Sequence, residues 1–277
     1  MCREATMLMN MILFSIVFHS VAFVVTQIHH IIFDFIFVQT ACDLLLSNVV
    51  CMFVRIGTQC FTINISILFL CQCMERTFKT FRYWRIFGNV RSFCKFALMT
   101  SPTFSFFLAA LTYYPDFEDP NLTESCFFHT SSSIKHVNGM YYGLIIVNFF
   151  SIIWMFILFL QNKRSENKFD DSLNIRYQVK ENLAITRIMM ICGSIQAVLI
   201  LLHSVLNIIR RDNVTDKVLY RILALDIYLI AYANLAYVLT LSYLLWKQNN
   251  SRRESIHRDV NKTKTIVSNV YFAQYKW

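Results

Sequence analysis

Little of this chain is charged, and little of it is built to turn. Charged residues make up 16% of the 277 positions against 56% hydrophobic, too few to coat a water-soluble domain of that length. Glycine occurs five times, and proline three times, at Pro102, Pro115 and Pro120. That leaves no Gly-rich phosphate loop and no helix-breaking proline in the later apolar segments. The nine cysteines form no pair of CxxC elements, so a zinc centre has no ligand set. His29 and His30 are adjacent, point in different directions on a helix and make no paired metal site. With no HExxH run and no Ser-His-Asp set at usable spacing, nothing favours an enzyme, a cofactor or a catalytic residue.

What the chain does have is long uncharged runs, rich in 26 phenylalanines. About 20 residues cross ~30 Å of hydrocarbon as a helix. Six segments qualify: Met7 to Phe33, about Leu44 to Met74, Phe96 to Pro115, Val137 to Asn162, Ile188 to Ile209, and Ile227 to Trp246. Only the second carries an internal charge, Arg55. The fold class expected is an all-α membrane protein, with a helical bundle over 1–246 and a polar tail over 247–277. So few residues remain between the spans that a separate soluble domain has no room.

The connections alternate in charge. Residues 76–95 hold Arg76, Lys79, Arg82, Arg85, Arg91 and Lys95 with no acid, and 163–187 and 247–277 are also net basic. Retention of Lys and Arg on the cytoplasmic side puts these three inside, together with the C-terminus. It also accounts for the net charge of +9 without nucleic acid. The connection over 116–136 carries Asp116, Glu118, Asp119 and Glu124 against Lys135 alone, and belongs outside. Sequons begin at Asn121 in that loop and at Asn213 in the next outer connection, so both are expected to be glycosylated. Those at Asn64, Asn249 and Asn261 would be unused. A signal peptide competes for Met1 to about Ala22, but the uncharged stretch runs on to Phe33 without a clear cleavage site.

The second span sets the frame for function. Cys51 and Arg76 are 25 residues apart, or ~37 Å of helix, so Cys51 falls at the outer end when Arg76 falls at the inner one. Cys126 lies in the outer acidic loop, and a Cys51 to Cys126 disulfide would tie that loop over the helix mouth. Cys42 is the competing partner, and three free thiols are the plain alternative. At the inner end, Glu75-Arg76-Thr77 closes the apolar run. Arg55 lies ~6 Å below Cys51, and Asp226 opens the last span from the outer side. A charge inside a membrane span is a functional-site candidate by default, with a partner nearby, so Arg55 and Asp226 are expected to face the outer half of the bundle, pairing or contacting a ligand. Snorkelling to the headgroups is the bland alternative.

An outer Cys on a long helix, a Cys in the following outer loop and an acid-Arg pair at the inner end resemble the third helix of G-protein-coupled receptors. More narrowly, several features together resemble the nematode serpentine chemoreceptors of the Sra, Srab and Srb group. These are Cys42-Asp43-Leu44 through Cys51, Glu75-Arg76-Thr77, Arg176-Tyr177-Gln178 with Glu181-Asn182, and the ending Tyr271-Phe272-Ala273-Gln274-Tyr275-Lys276-Trp277. The resemblance covers roughly residue 8 to the C-terminus. It implies a plasma-membrane receptor of sensory neurons that detects a small odorant or pheromone and signals to a heterotrimeric G protein. Glu75 would hold Arg76 at rest and release it to the G protein, and charge complementarity at matched depth suggests a resting Arg76 to Glu181 ion pair between helices. The family has seven spans against six here. If Met7 to Phe33 matches its second helix, as Phe18-His19 suggests, the first is missing. A small helical transporter or channel component, or a truncated receptor fragment without signalling, are the alternatives.

Overall fold

A backbone immersed in hydrocarbon has no water to satisfy its N–H and C=O groups, so each crossing segment must close its own hydrogen bonds as a helix. The described membrane-length segments do so. The computed structural model describes residues 3–36, 46–81, 90–117, 122–123, 133–166, 173–213, 234–248 and 250. Within the compact unit Met1–Tyr237 the long helices are α1 (Arg3–Ile36), α2 (Asn48–Phe81), α3 (Val90–Tyr113), α4 (Ile134–Glu166) and α5 (Leu173–Asn213). All five are long and apolar enough to cross a membrane. The sixth expected span begins outside the described residues; 234–237 are helical here, and in the second unit, Val238–Trp277, 238–248 are helical.

The helices overrun the uncharged stretches that announce them. Helix α2 continues past Met74 to Phe81 and α4 past Asn162 to Glu166, because a charged residue ends contact with hydrocarbon without ending the hydrogen-bond ladder. Hydroxyls along the way are satisfied by carbonyls one turn back: Thr58 donates to Val54, Thr77 to Cys73, Thr112 to Leu108 and Ser204 to Ile200. Such local bonds let Ser and Thr sit at membrane depth at little cost.

Side-chain contacts fix the helix directions. Ser15 and Phe18 of α1 meet Asn64 and Phe61 of α2, so these helices run antiparallel. Cys60 approaches the Pro102 carbonyl while Phe78 packs edge-on to Phe93, so α3 also opposes α2. Gln59, Ser66, Cys73 and Thr77 of α2 meet Tyr141, Asn148, Ser151 and Trp154 of α4 in order, so α2 and α4 are parallel. Asn162 reaches Asn182 while Tyr141 reaches His203, which turns α5 back. Helix α2 packs against all four others.

Lipid tails are as apolar as leucine, so burial of apolar surface does not drive these helices together; close packing and polar contacts do. Helix α3 meets its neighbours with a stripe of small buried residues, Cys94, Ala97, Ser101, Ser105 and Ala109, while Phe96 and Met99 stand 68% and 80% exposed. On α4 the buried positions are Val137, Tyr141, Leu144, Asn148, Ser151, Met155, Leu158 and Asn162. These alternate four and three residues apart, the seam of a coiled coil. Tyr141, Asn148, Ser151 and Asn162 lie on that seam, and Phe149, Phe150, Trp154 and Phe156 lie off it. On α5, Gly193 lets the Phe69 ring of α2 lie against the helix backbone.

Candidate functional site

Buried charge concentrates at the two ends of α2. Arg55 and Arg76 are 21 residues apart, which at 1.5 Å per residue is ~31 Å, about one hydrocarbon thickness. Both side chains are buried. An isolated ion in such a place costs several kcal/mol or more, so each needs a partner.

At the Cys51 end, α3 closes in a 3₁₀ turn over Tyr114–Phe117, and this turn aims the Asp116 carboxylate at α2. Arg55 Nη1 donates to Asp116 Oδ2 at 2.6 Å, with side-chain exposures of 3% and 0%. The pair is placed by antiparallel register: the α3 turn comes back to the level at which α2 carries its internal charge. Two further contacts hold this end. Leu46–Ser47 (β1) pairs antiparallel with Leu122–Thr123 (β2), which binds the segment after α3 to the segment before α2. Cys51 is disulfide-bonded; Cys42 and Cys126 lie outside the described residues, as does Asp226. The cation of the second span therefore faces the interior, and the acid it meets there is Asp116.

One helical turn further along α2, Gln59 Nε2 donates to the Tyr141 hydroxyl at 3.3 Å. The Tyr141 ring meets the His203 ring edge-on with centroids 5.9 Å apart. Asn207 Nδ2 lies 3.2 Å from His203 Nε2 and donates to the His203 carbonyl at 2.8 Å. Three helices thus meet at a buried polar cluster beneath the ion pair.

At the Arg76 end the charge is met by the adjacent residue. Glu75 and Arg76 are both fully buried. The guanidinium engages Glu75 side-on, Nε to Oε2 and Nη2 to Oε1, the latter at 2.6 Å, leaving the other terminal nitrogen to look elsewhere. That nitrogen, Nη1, donates to Asn182 Oδ1 on α5 at 2.9 Å. Asn182 Nδ2 donates in turn to Asn162 Oδ1 of α4 at 3.0 Å, and Asn162 Nδ2 lies 3.3 Å from Thr186 Oγ1. Lys79 Nζ sits 2.8 Å from Glu75 Oε1, and Trp154 Nε1 donates to Thr77 Oγ1 at 2.8 Å. A single polar network ties α2, α4 and α5 together at this end.

Several expected residues fall into this arrangement and others do not. Glu75 and Arg76 form the centre of the network. The residue that Arg76 reaches on α5 is Asn182, directly after Glu181, whose own side chain lies outside the described residues. Asn121 and the side chain of Asn213 are outside them too. Asn162, Gln59 and Tyr141 were not singled out by sequence reasoning, and Asn182 entered there only within the Glu181-Asn182 motif. Their signal was available on α4, where Tyr141, Asn148 and Asn162 recur at multiples of seven inside an apolar span. Polar side chains in a membrane helix mark its interior face, and that spacing gives the seam.

Among the described residues, no group of three or more His, Cys, Asp or Glu could hold a metal ion. No curated protein matches the sequence. Residues 3–277 match the model of the serpentine type 7TM GPCR receptor class ab chemoreceptor family. With an all-helical bundle of membrane-length helices and a match over nearly its whole length, this chain belongs to that family of serpentine chemoreceptors.

Proposed function

We propose that this receptor binds a small odorant or pheromone in the half of the bundle nearer Cys51 and signals to a heterotrimeric G protein through the Arg76 end. One observation carries the reading: Arg76 is buried in a closed fork with Glu75, and its remaining nitrogen bridges to Asn182 on α5. A cation so held is shut away from any partner. Releasing it requires α5 to move relative to α2, which is the motion that opens a G-protein surface in a receptor of this class. Glu75 and Arg76 form the switch, Asn182 bridges it to α5, and Glu181 beside Asn182 is assigned to the same switch.

The orientation follows from the distribution of charge. Arg91, Lys95, Lys163, Arg164, Lys180 and Arg187 are exposed near the Arg76 end, which favours the cytoplasm on that side, with a cytoplasmic C-terminus, in the plasma membrane of sensory neurons. The opposite face then carries glycans at Asn121 and Asn213. A Cys51 to Cys126 disulfide fits there, because the β1 and β2 pairing already holds the loop after α3 against the start of α2. Arg55 and Asp226 are assigned to the ligand side, with Arg55 acting through its pairing to Asp116.

The test is a G-protein activation assay on cells with matched surface levels of wild type and Arg76→Gln. Loss of signalling in the variant with surface expression retained is the expected result. Unchanged signalling would show that Arg76 only anchors the helix end.

A further inference from the structure

Between the two charged ends lies a cluster that neither the ion pair nor the switch uses: Gln59 on α2, Tyr141 on α4, and His203 with Asn207 on α5. Its buried members are unevenly satisfied. Gln59 Nε2 has the Tyr141 hydroxyl, but Gln59 Oε1 has no hydrogen-bond partner although the side chain is nine-tenths buried. Two turns along α5 from His203, the buried Gln196 Nε2 is likewise unpartnered. A buried carbonyl without a donor costs free energy in a protein that nothing else occupies. Helices could have placed leucine here at no such cost.

The charge around the cluster narrows what would satisfy it. Among the described residues, the acid that meets the Arg55 end of α2 is Asp116, in the turn after α3, paired with Arg55 one turn from Gln59, and Glu75 with Arg76 lies toward the far end of the helix. Among the described residues, a carboxylate ligand reaching Gln59 would meet a carbonyl oxygen and an arginine already neutralised by Asp116, and an ammonium ligand would find that acid already engaged. Either would be buried uncompensated. A neutral hydroxyl meets the cluster on its own terms, donating to Gln59 Oε1 and accepting from an amide or phenol, with its carbon skeleton among the surrounding apolar side chains.

We infer that the Gln59, Tyr141 and His203 cluster is the recognition point for an uncharged, hydroxyl-bearing small molecule, with Gln59 Oε1 as the acceptor that reads its O–H. The inference rests on the receptor reading for the existence of a ligand, but its test uses binding alone and no G protein.

Two measurements on the purified full-length chain in lipid nanodiscs decide it. The first needs no ligand: Gln59→Leu removes a buried unpartnered acceptor together with one long hydrogen bond to Tyr141, a net gain that should raise the melting temperature by about 2–4 °C. A lowered melting temperature would show that Gln59 is satisfied by a structural water and would overturn the assignment. The second offers each of a panel of volatile-sized carbon skeletons as alcohol, carboxylate and amine. Stabilisation confined to alcohols, and lost at least tenfold in apparent affinity in Gln59→Leu, is the expected result. Preference for carboxylates would move recognition to Arg55, preference for amines would move it to Asp116, and the absence of any Gln59-dependent shift would remove the site. If alcohols bind as expected while the Arg76→Gln assay shows unchanged signalling, the signalling reading fails and this one stands.

Discussion

Arg55 and Arg76 sit on the same helix, ~31 Å apart, and are buried to nearly the same degree, yet they are neutralised in different ways. Arg55 takes its acid from another element, Asp116 in the turn that ends α3. Arg76 takes its acid from the preceding residue and uses a neutral amide, Asn182, to reach another helix. The first arrangement binds two elements by charge and costs a great deal to open, because opening it leaves two buried ions. The second keeps the charge matched within α2 whatever α5 does, and the amide of Asn182, bonded to Arg76 and to Thr80, joins the helices there. One end is a fastening and the other a latch.

That contrast can be broken from the fastened side. Asp116→Ala strands Arg55 and should destabilise the protein by about 3–5 kcal/mol, whereas replacing both partners by apolar residues of similar size should recover most of it. Thermal unfolding of the single and double variants in nanodiscs measures both. Failure of the double variant to recover would mean that Arg55 has work beyond the pair.

Between the two ends, α2 and α5 approach through Phe69 and Gly193. A Cβ at Gly193 overlaps the Phe69 ring, so Gly193→Ala should cost about 1–3 kcal/mol. Phe69→Leu should relieve part of that cost in a double-mutant cycle, read by the same melts.

The smallest effects sharpen the comparison most. Interhelical hydrogen bonds in membranes average about 0.6 kcal/mol and reach about 1.7, so Asn182→Ala and Asn148→Leu should weaken stability by similar small amounts. They should differ in signalling. Asn182 holds the latch and its loss should raise basal G-protein activation, while Asn148, bonded to Ser66 in mid-bundle, should leave it unaltered. Equal basal activity in both would show that mid-bundle and end contacts are interchangeable.

Five of the six expected spans are legible as uncharged runs near 20 residues, which leave few other options, and the positions of Cys51, Glu75 and Arg76 along α2 are legible because a membrane sets the distance between its two faces. The identity of each partner was harder to see. Asp116 read as one of four acids in an outer loop, and choosing it requires the register of the α2 and α3 hairpin, which no residue in the connection declares. Glu181 drew the expectation of an ion pair because opposite charges attract, and its side chain lies outside the described residues. The charge on Arg76 is already met by Glu75, so what remained was a hydrogen-bonding need at Nη1, and the neighbouring Asn182 meets it without adding a second buried acid. The α4 seam was hidden by uniform apolarity, since its outward face is more hydrophobic than its inward one.

Glu75 holds Arg76 in a closed fork, and basal G-protein activation by Glu75→Gln, at surface levels matched to wild type, tests most directly whether that hold is the resting state of the switch. The fork loses its carboxylate, Arg76 is freed, and ligand-independent activation should rise above that of wild type and above that of Asn182→Ala. Basal activation no higher than wild type, in a variant that still folds and reaches the surface, would contradict it.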